Sequence, residues 1–463
     1  MSEAGKRKRR SCGRLIMWLV GVFLVCVVVP CAIGWAVLQA KYGIHTRKGW
    51  IDSERKKLPA EVVLTPQEVN AYDTYPQAAQ LMSGPADPYV TEGSWLQAAP
   101  KRRGELGYLP PTSLVEITAS NAPALAKLHE ATDQEYVPPP RSEIPDMRMM
   151  GGHRWLARLA DCAARVAHAQ GEDAKALELL EDAYALGVAV PRGGEAMDTL
   201  VGIAIVAIAA QASHGIMLTA DAPPDVLRAH AARMRELRDR ISPLSRSLVA
   251  DARRDVESWG RFPPAGTLFM SQQMPGGTQE PEAVVKLRGL AMRPTWKADM
   301  VWLEDRMARL AEAADKPFGD TSFPDLVERT WHDLDARNDK ALGWMLSLHT
   351  LPRDHWLQGQ GLMIADEAIA CLCAYRMEHG AYPESLAELV PDYMPEQPLD
   401  PWTGDPMIYR RQPDGSFVVY ATGPNRGDDG GRRRTGLDDE AFDEVYVPLR
   451  PVTSAISRPT GTP

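Results

Sequence analysis

Apolar positions along the chain repeat with several different periods, and each period predicts an element. Residues 15–38 (LIMWLVGVFLVCVVVPCAIGWAVL) contain no charge, and at about 1.5 Å per residue a helix of that length crosses a hydrocarbon layer about 30 Å thick. This predicts a transmembrane helix, with Pro30 tolerated where neighbouring groups satisfy the freed carbonyl. From Trp155 the spacing becomes that of two amphipathic helices, joined at Gln170 to Asp173 and closed by Gly187 and Pro191. Residues 200–218 are apolar on every face, but Gln211, Ser213 and His214 interrupt them. That favours a helix enclosed in a core over a second membrane span, with His214 a satisfied core histidine. Further helices are expected over 224–259, 281–314 and 326–346, with KPFGDTSFPD as a loop.

Helical spacing returns over 364–378 and stops at Gly380, which suits a left-handed cap. Ser385 with Glu388 three residues on has the layout of a capping box, and Pro391, Pro395, Pro398 and Pro401 then keep the chain extended. Residues 407–411 and 416–421 read as strands around a PDG turn, a β-hairpin whose apolar face Trp402 and Tyr420 cover. Residues 39–112, rich in Pro and Gly, read as a stalk with a short helix over 66–82. Another short helix over 122–131 precedes the helix-breaking YVPPPRSEIP. The expected organisation is a basic cytoplasmic tail 1–14, transmembrane helix 15–38, stalk 39–112, helical domain 113–346, C-terminal module 347–448 and disordered tail 449–463. The fold class is mainly α, with an all-helical body and a small α+β module that contains the hairpin.

Charge orients the anchor. Lys6, Arg7, Lys8, Arg9, Arg10 and Arg14 precede it, which places the N-terminus in the cytoplasm and the body outside it, at the inner (cytoplasmic) membrane. The apolar run is too long for a cleaved secretory signal, and no small-x-small site closes it. The 463 residues carry a net charge of −9 despite that basic tail. The body is therefore acidic, which excludes nucleic acid as the expected partner, since binding there rests on clustered Lys and Arg. Cys162, Cys371 and Cys373 are the cysteines of the body, an odd trio that forms no disulfide framework. Cys12 sits beside the anchor, where lipidation occurs.

Catalytic motifs are missing from the sequence: there is no phosphate loop, H-E-x-x-H, G-x-S-x-G or paired C-x-x-C. His349, Asp354 and His355 offer metal-ligand types, but the intervening TLPR breaks the helical face and reads as a solvated loop. The segment DLDARND has Arg337 where a calcium loop needs oxygen. The remaining oxygen-rich loop is 423–431, GPNRGDDGG, where Asn425, Asp428 and Asp429 are the side-chain candidates for calcium. A hydrated turn whose Asp residues cap backbone amides is the alternative.

The order of signals from 364 to 431 resembles the globular end of a pseudopilin. The matching residues are Tyr375-Arg376, His379-Gly380-x-Tyr382-Pro383, Ser385-Leu386, Leu389, Asp400-Pro401-Trp402, Tyr409, Phe417 to Tyr420, Gly423-Pro424-Asn425 and Asp428-Asp429-Gly430-Gly431. In the major pseudopilins of type II secretion the corresponding loop holds calcium, which is what the resemblance implies for Asn425, Asp428 and Asp429. Two departures stand out. Arg432, Arg433 and Arg434 follow the loop at once, and the anchor lacks the early Glu of a pseudopilin and is separated from the module by residues 39–346. The resemblance therefore implies a shared fold, not assembly into a pseudopilus. The helix pair from Trp155 is similar to one tetratricopeptide-like hairpin, through Ala164, Gly171, Ala176, Leu180 and Ala183. An irregular helical domain is the other reading. The whole arrangement resembles bacterial envelope proteins of planctomycete type. The expected function is that of a non-catalytic single-pass envelope protein that binds another envelope protein, in a secretion or pilus-type assembly. An envelope hydrolase and a structural cell-envelope spacer are the alternatives.

Overall fold

The computed structural model describes residues 69–83, 88–98, 100–101, 109–138, 147–259, 302–303, 305–337, 340–433 and 443–447. The expected tail 1–14, transmembrane helix 15–38, terminal tail 449–463 and the start of the helix over 281–314 lie outside the described residues. What is described is mainly helical with one small three-stranded sheet. It divides into two compact units. The larger is formed by the described residues of Glu61–Leu248, Glu312–Asp325 and His349–Pro463, the smaller by those within Val249–Ala311 and Leu326–Leu348.

The larger unit is built on α1 (Ala71–Gln80), α2 (Pro88–Gln97), α3 (Thr112–Ser120), α4 (Ala122–Thr132), α5 (Met147–Gln170), α6 (Asp173–Ala189), α7 (Ala196–Thr219) and α8 (Pro224–Asp239). Helices α5, α6 and α7 pack on one another, with α1, α3 and α4 against α5 and α8 against α6. The predicted pair from Trp155 is α5 and α6, turning at Gly171, with Ala164, Ala176, Leu180 and Ala183 fully buried. Gly187 does not close α6, which runs on to Ala189. Instead α6 and α7 cross there: a Cβ on Gly202 would lie 2.5 Å from the Gly187 carbonyl oxygen and 2.4 Å from Pro191 Cγ. Only hydrogen at these positions allows that approach.

Helix α7 is apolar enough for a membrane span, yet 61% of its most apolar window is enclosed by protein. Val201, Ile205, Ala209, Ala212 and Ile216 are buried in the common core, which is how a helix apolar on all faces is accommodated. The segment read as a stalk contributes to that same core through Ala71, Tyr75 and Leu96, all buried. Its sequence hides this because each short helix supplies only a few such residues.

Helices α9 (Leu244–Trp259), α10 (Ser322–Arg337) and α11 (Lys340–His379) follow. The loop read over KPFGDTSFPD is shorter than expected, since α10 begins at Ser322, whose amide donates to Asp320 at 2.8 Å. Helix α11 corrects one expectation: residues 350–353, read as a solvated loop that breaks the helical face, are helical. An internal proline costs about 3 kcal/mol, but burial of Leu357, Met363, Ile364 and Ala365 just beyond Pro352 outweighs it. In the smaller unit Arg306 pairs with Asp333 at 2.6 Å and stacks on Trp302.

Gly380 ends α11 with φ +81°, as its position predicts. A turn of 3-10 helix at Leu386–Leu389 follows, and the Glu388 carboxylate accepts from the Ser385 amide at 3.1 Å. The expected hairpin is β1 (Ile408–Arg411) and β2 (Phe417–Ala421), paired from Ile408 with Tyr420 to Arg411 with Phe417. A third strand, β3 (Glu444–Val447), was not expected. It pairs antiparallel with the other edge of β2 and makes β2 the buried central strand.

Candidate functional site

Helices α8 and α11 run antiparallel and are joined by charge. Arg228 pairs with Glu378 at 2.7 Å, and Arg235 and Arg238 both reach the buried Glu367, at 2.6 and 2.9 Å. Between these pairs lies a network centred on the buried His230 and Asp366, with Glu181 at its partly exposed edge. The His230 imidazole donates from Nδ1 to Glu181 and from Nε2 to Asp366, each at 2.7 Å. The Tyr184 hydroxyl donates to the other Asp366 oxygen at 3.0 Å. Burial alone would lower the pKa of His230, but Asp366 and Glu181 outweigh it and push it up to about 10. Asp366 is held below the usual carboxylate range: burial opposes this, and His230 prevails. The pair is therefore an ion pair at neutral pH.

His214 lies beside this network, its Nε2 3.3 Å from Asp366 and its ring edge-on to Tyr446. Burial pushes its pKa down against the pull of Asp366. It is buried as the sequence suggested, but it is not the satisfied histidine expected, since its Nε2 makes no hydrogen bond among the described residues, and it forms part of the wall of a cleft of about 690 Å³.

Arg165 of α5 lines the opposite wall and belongs to a polar stripe on that helix. Asp161, Arg165 and His168 share one face at helical spacing. Arg165, itself buried, pairs with Asp161 at 2.7 Å and donates to the Ala98 carbonyl at 3.0 Å. His168 bonds the Lys101 carbonyl at 3.0 Å and Asp173 at 2.6 Å. These bonds hold the segment after α2, so that Pro100 sits against Gly215 of α7, where a Cβ would come within 2.6 Å of the ring. The floor is the adjacent face of α7, with Ala207, Gln211 and Leu218. The far side is made by Arg376 and Tyr382, the hairpin turn at Asp414 to Phe417, and the strand residues Glu444 to Tyr446. Ser416 in that turn bonds Asp414 through both its amide and hydroxyl, at 2.9 and 2.5 Å. The volume of the cleft falls within the range of small-ligand pockets.

The calcium candidates sit elsewhere on the module. Asp428 accepts from Arg410 at 2.7 Å, from the Tyr420 hydroxyl at 2.8 Å and from the Gly430 amide at 2.9 Å. Burial opposes its ionisation, yet these donors hold its pKa below the usual range. Asn425 donates to Asp429 at 2.7 Å. Sequence reasoning missed Asp443, which is buried and accepts from the amides of Asp429, Gly431 and Arg432. Among the described residues no group of three or more His, Cys, Asp or Glu is arranged to hold a metal ion. His349, Asp354 and His355 all lie on α11. Compared with known proteins, the chain matches no family model, no curated protein and no solved structure.

The cleft residues Arg165 and Gln211 carry no sequence motif, and Arg376, though part of the pseudopilin-like run, was not singled out there as a site residue. The available signal was a polar residue interrupting an apolar helix, as Gln211 does in α7.

Proposed function

We propose that the chain is a single-pass envelope protein, tethered by residues 15–38 with its body outside the cytoplasm, that binds an extended segment of another protein. The observation that carries this reading is the cleft of about 690 Å³ between α7 and the sheet. Such a site is what a binding protein needs and a spacer does not. A hydrolase needs a nucleophile within reach of a base, whereas the Ser416 hydroxyl is committed to Asp414 and the buried His214 faces Asp366. The C-terminal likeness to pseudopilins adds a secretion or pilus-type assembly as the setting for that partner.

A photo-crosslinking residue placed at Gln211 in membranes tests the binding reading. The expected result is one discrete protein adduct that disappears when Ala207→Trp fills the cleft. Adducts that persist unchanged in the filled variant overturn it. The tether is tested by a reporter fused after Pro463, which is expected to be active outside the cytoplasm only.

A further inference from the structure

We propose that the cleft seats a carboxylate of its peptide ligand on Arg376. This rests on the peptide-binding reading above and gives that site its recognition chemistry. Arg376 stands in the last turn of α11, and Tyr382 fixes its guanidinium twice over: the ring lies 5.1 Å beneath it and the hydroxyl takes one N–H at 3.1 Å. A guanidinium carries five donors in a rigid planar fork. One bond to Tyr382 leaves the rest to point elsewhere. Among the described residues no carboxylate pairs with Arg376.

The other charges around the cleft, Arg433 apart, have hydrogen-bonding or ionic partners within the protein. Arg165 has Asp161, Asp414 has Ser416, and Glu444 accepts from Gln358 at 3.2 Å. His214 lies against Asp366. Arg433 is a second cation of the lining, on its exposed side. A carboxylate suits this arrangement because its two coplanar oxygens match the fork of one arginine. A dianionic phosphate suits it less, since Asp414 and Glu444 stand in the same walls and like charges brought together are penalised. The α7 floor, with Ala207, Gln211 and Leu218, offers apolar surface and one amide to the rest of the peptide.

The full chain in detergent micelles is probed by saturation-transfer NMR with three pools of N-acetylated tetrapeptides. The first has free C-terminal carboxylates and no Asp or Glu, the second has amidated termini with Asp and Glu, and the third is amidated and lacks both. The expected result is a signal from the first or second pool at least tenfold above the third. Which of the two responds assigns the carboxylate to a terminus or a side chain. That signal is lost in Arg376→Gln and reduced in Arg376→Lys, which keeps the charge without the fork, both variants melting as the wild type does. Equal signals from all three pools, removed only by Ala207→Trp, overturn the carboxylate assignment and leave peptide binding standing. A signal that survives in Arg376→Gln overturns the role of that residue. Silence from every pool overturns both readings.

Discussion

His230 carries the largest electrostatic consequence at the scale of single residues. In the folded chain it keeps its proton to about pH 10, against an ordinary value of 6.5. Its contribution to stability is therefore complete below about pH 6.5 and is lost as pH rises toward 10. Asp366, whose pKa is depressed, contributes above its ordinary value and loses that contribution as pH falls. The groups facing this pair are Glu181, Tyr184, Ser213 and His214. Denaturation midpoints of the wild type are expected to fall between pH 7 and 10, and His230→Gln is expected to flatten the profile. Parallel profiles for the two proteins would show that His230 does not hold the charge. Asp366→Ala is expected to cost about 3–5 kcal/mol at pH 7, because it strands a buried cation. None of this was legible in sequence: His230 and Asp366 are 136 positions apart, and each alone looks like an ordinary helix residue.

The loop from Gly423 to Gly431 makes a different residue-scale point. Its Asp and Asn residues were legible as oxygen donors, but the partners they meet were not. A calcium ion there must compete with Arg410 for Asp428. Arg410→Gln is accordingly expected to enlarge any calcium-dependent rise in the Tm of the full chain, as binding to the folded state alone requires. Coincident curves in calcium and in chelator, for both proteins, leave the loop as a hydrogen-bonded turn.

Among the elements, α7 decides most. Ile205 is fully buried, so Ile205→Asp places an unpaired carboxylate in the core at a cost of several kcal/mol. Loss of cooperative melting is expected. Unchanged solubility and helicity would instead put α7 at an exposed surface or in lipid. Gly215→Leu tests the same helix from its other side: it drives into Pro100 and is expected to lower stability by about 1–3 kcal/mol while weakening ligand binding. The hairpin was legible because its alternation and PDG turn are local. Strand β3 was not, since EVYV is short and its partner β2 lies beyond the arginine run. The length of α11 was hidden by Pro352, whose penalty is overcome only by burial that no local pattern displays.

The larger unit as a whole closes through contacts far apart in the chain. Tyr184 meets Asp366 across 182 positions, and Arg165 meets Ala98 across 67. Strand β3, part of the cleft wall, belongs to the last described segment. A chain truncated after Gly423 is therefore expected to lack the cleft and to show faster amide exchange in α7 than the full chain, measured by mass spectrometry. Unchanged exchange would mean that the helical core closes without the strand. The position of β3 also has a meaning in time. Synthesis proceeds at about 5–20 residues per second, so roughly 11–45 s separate the emergence of Thr219, the end of α7, from that of Glu444. Throughout that interval the newborn chain has one cleft wall without the other and exposes the apolar α7 floor. The nascent body thus depends on whatever shields that face until β3 arrives.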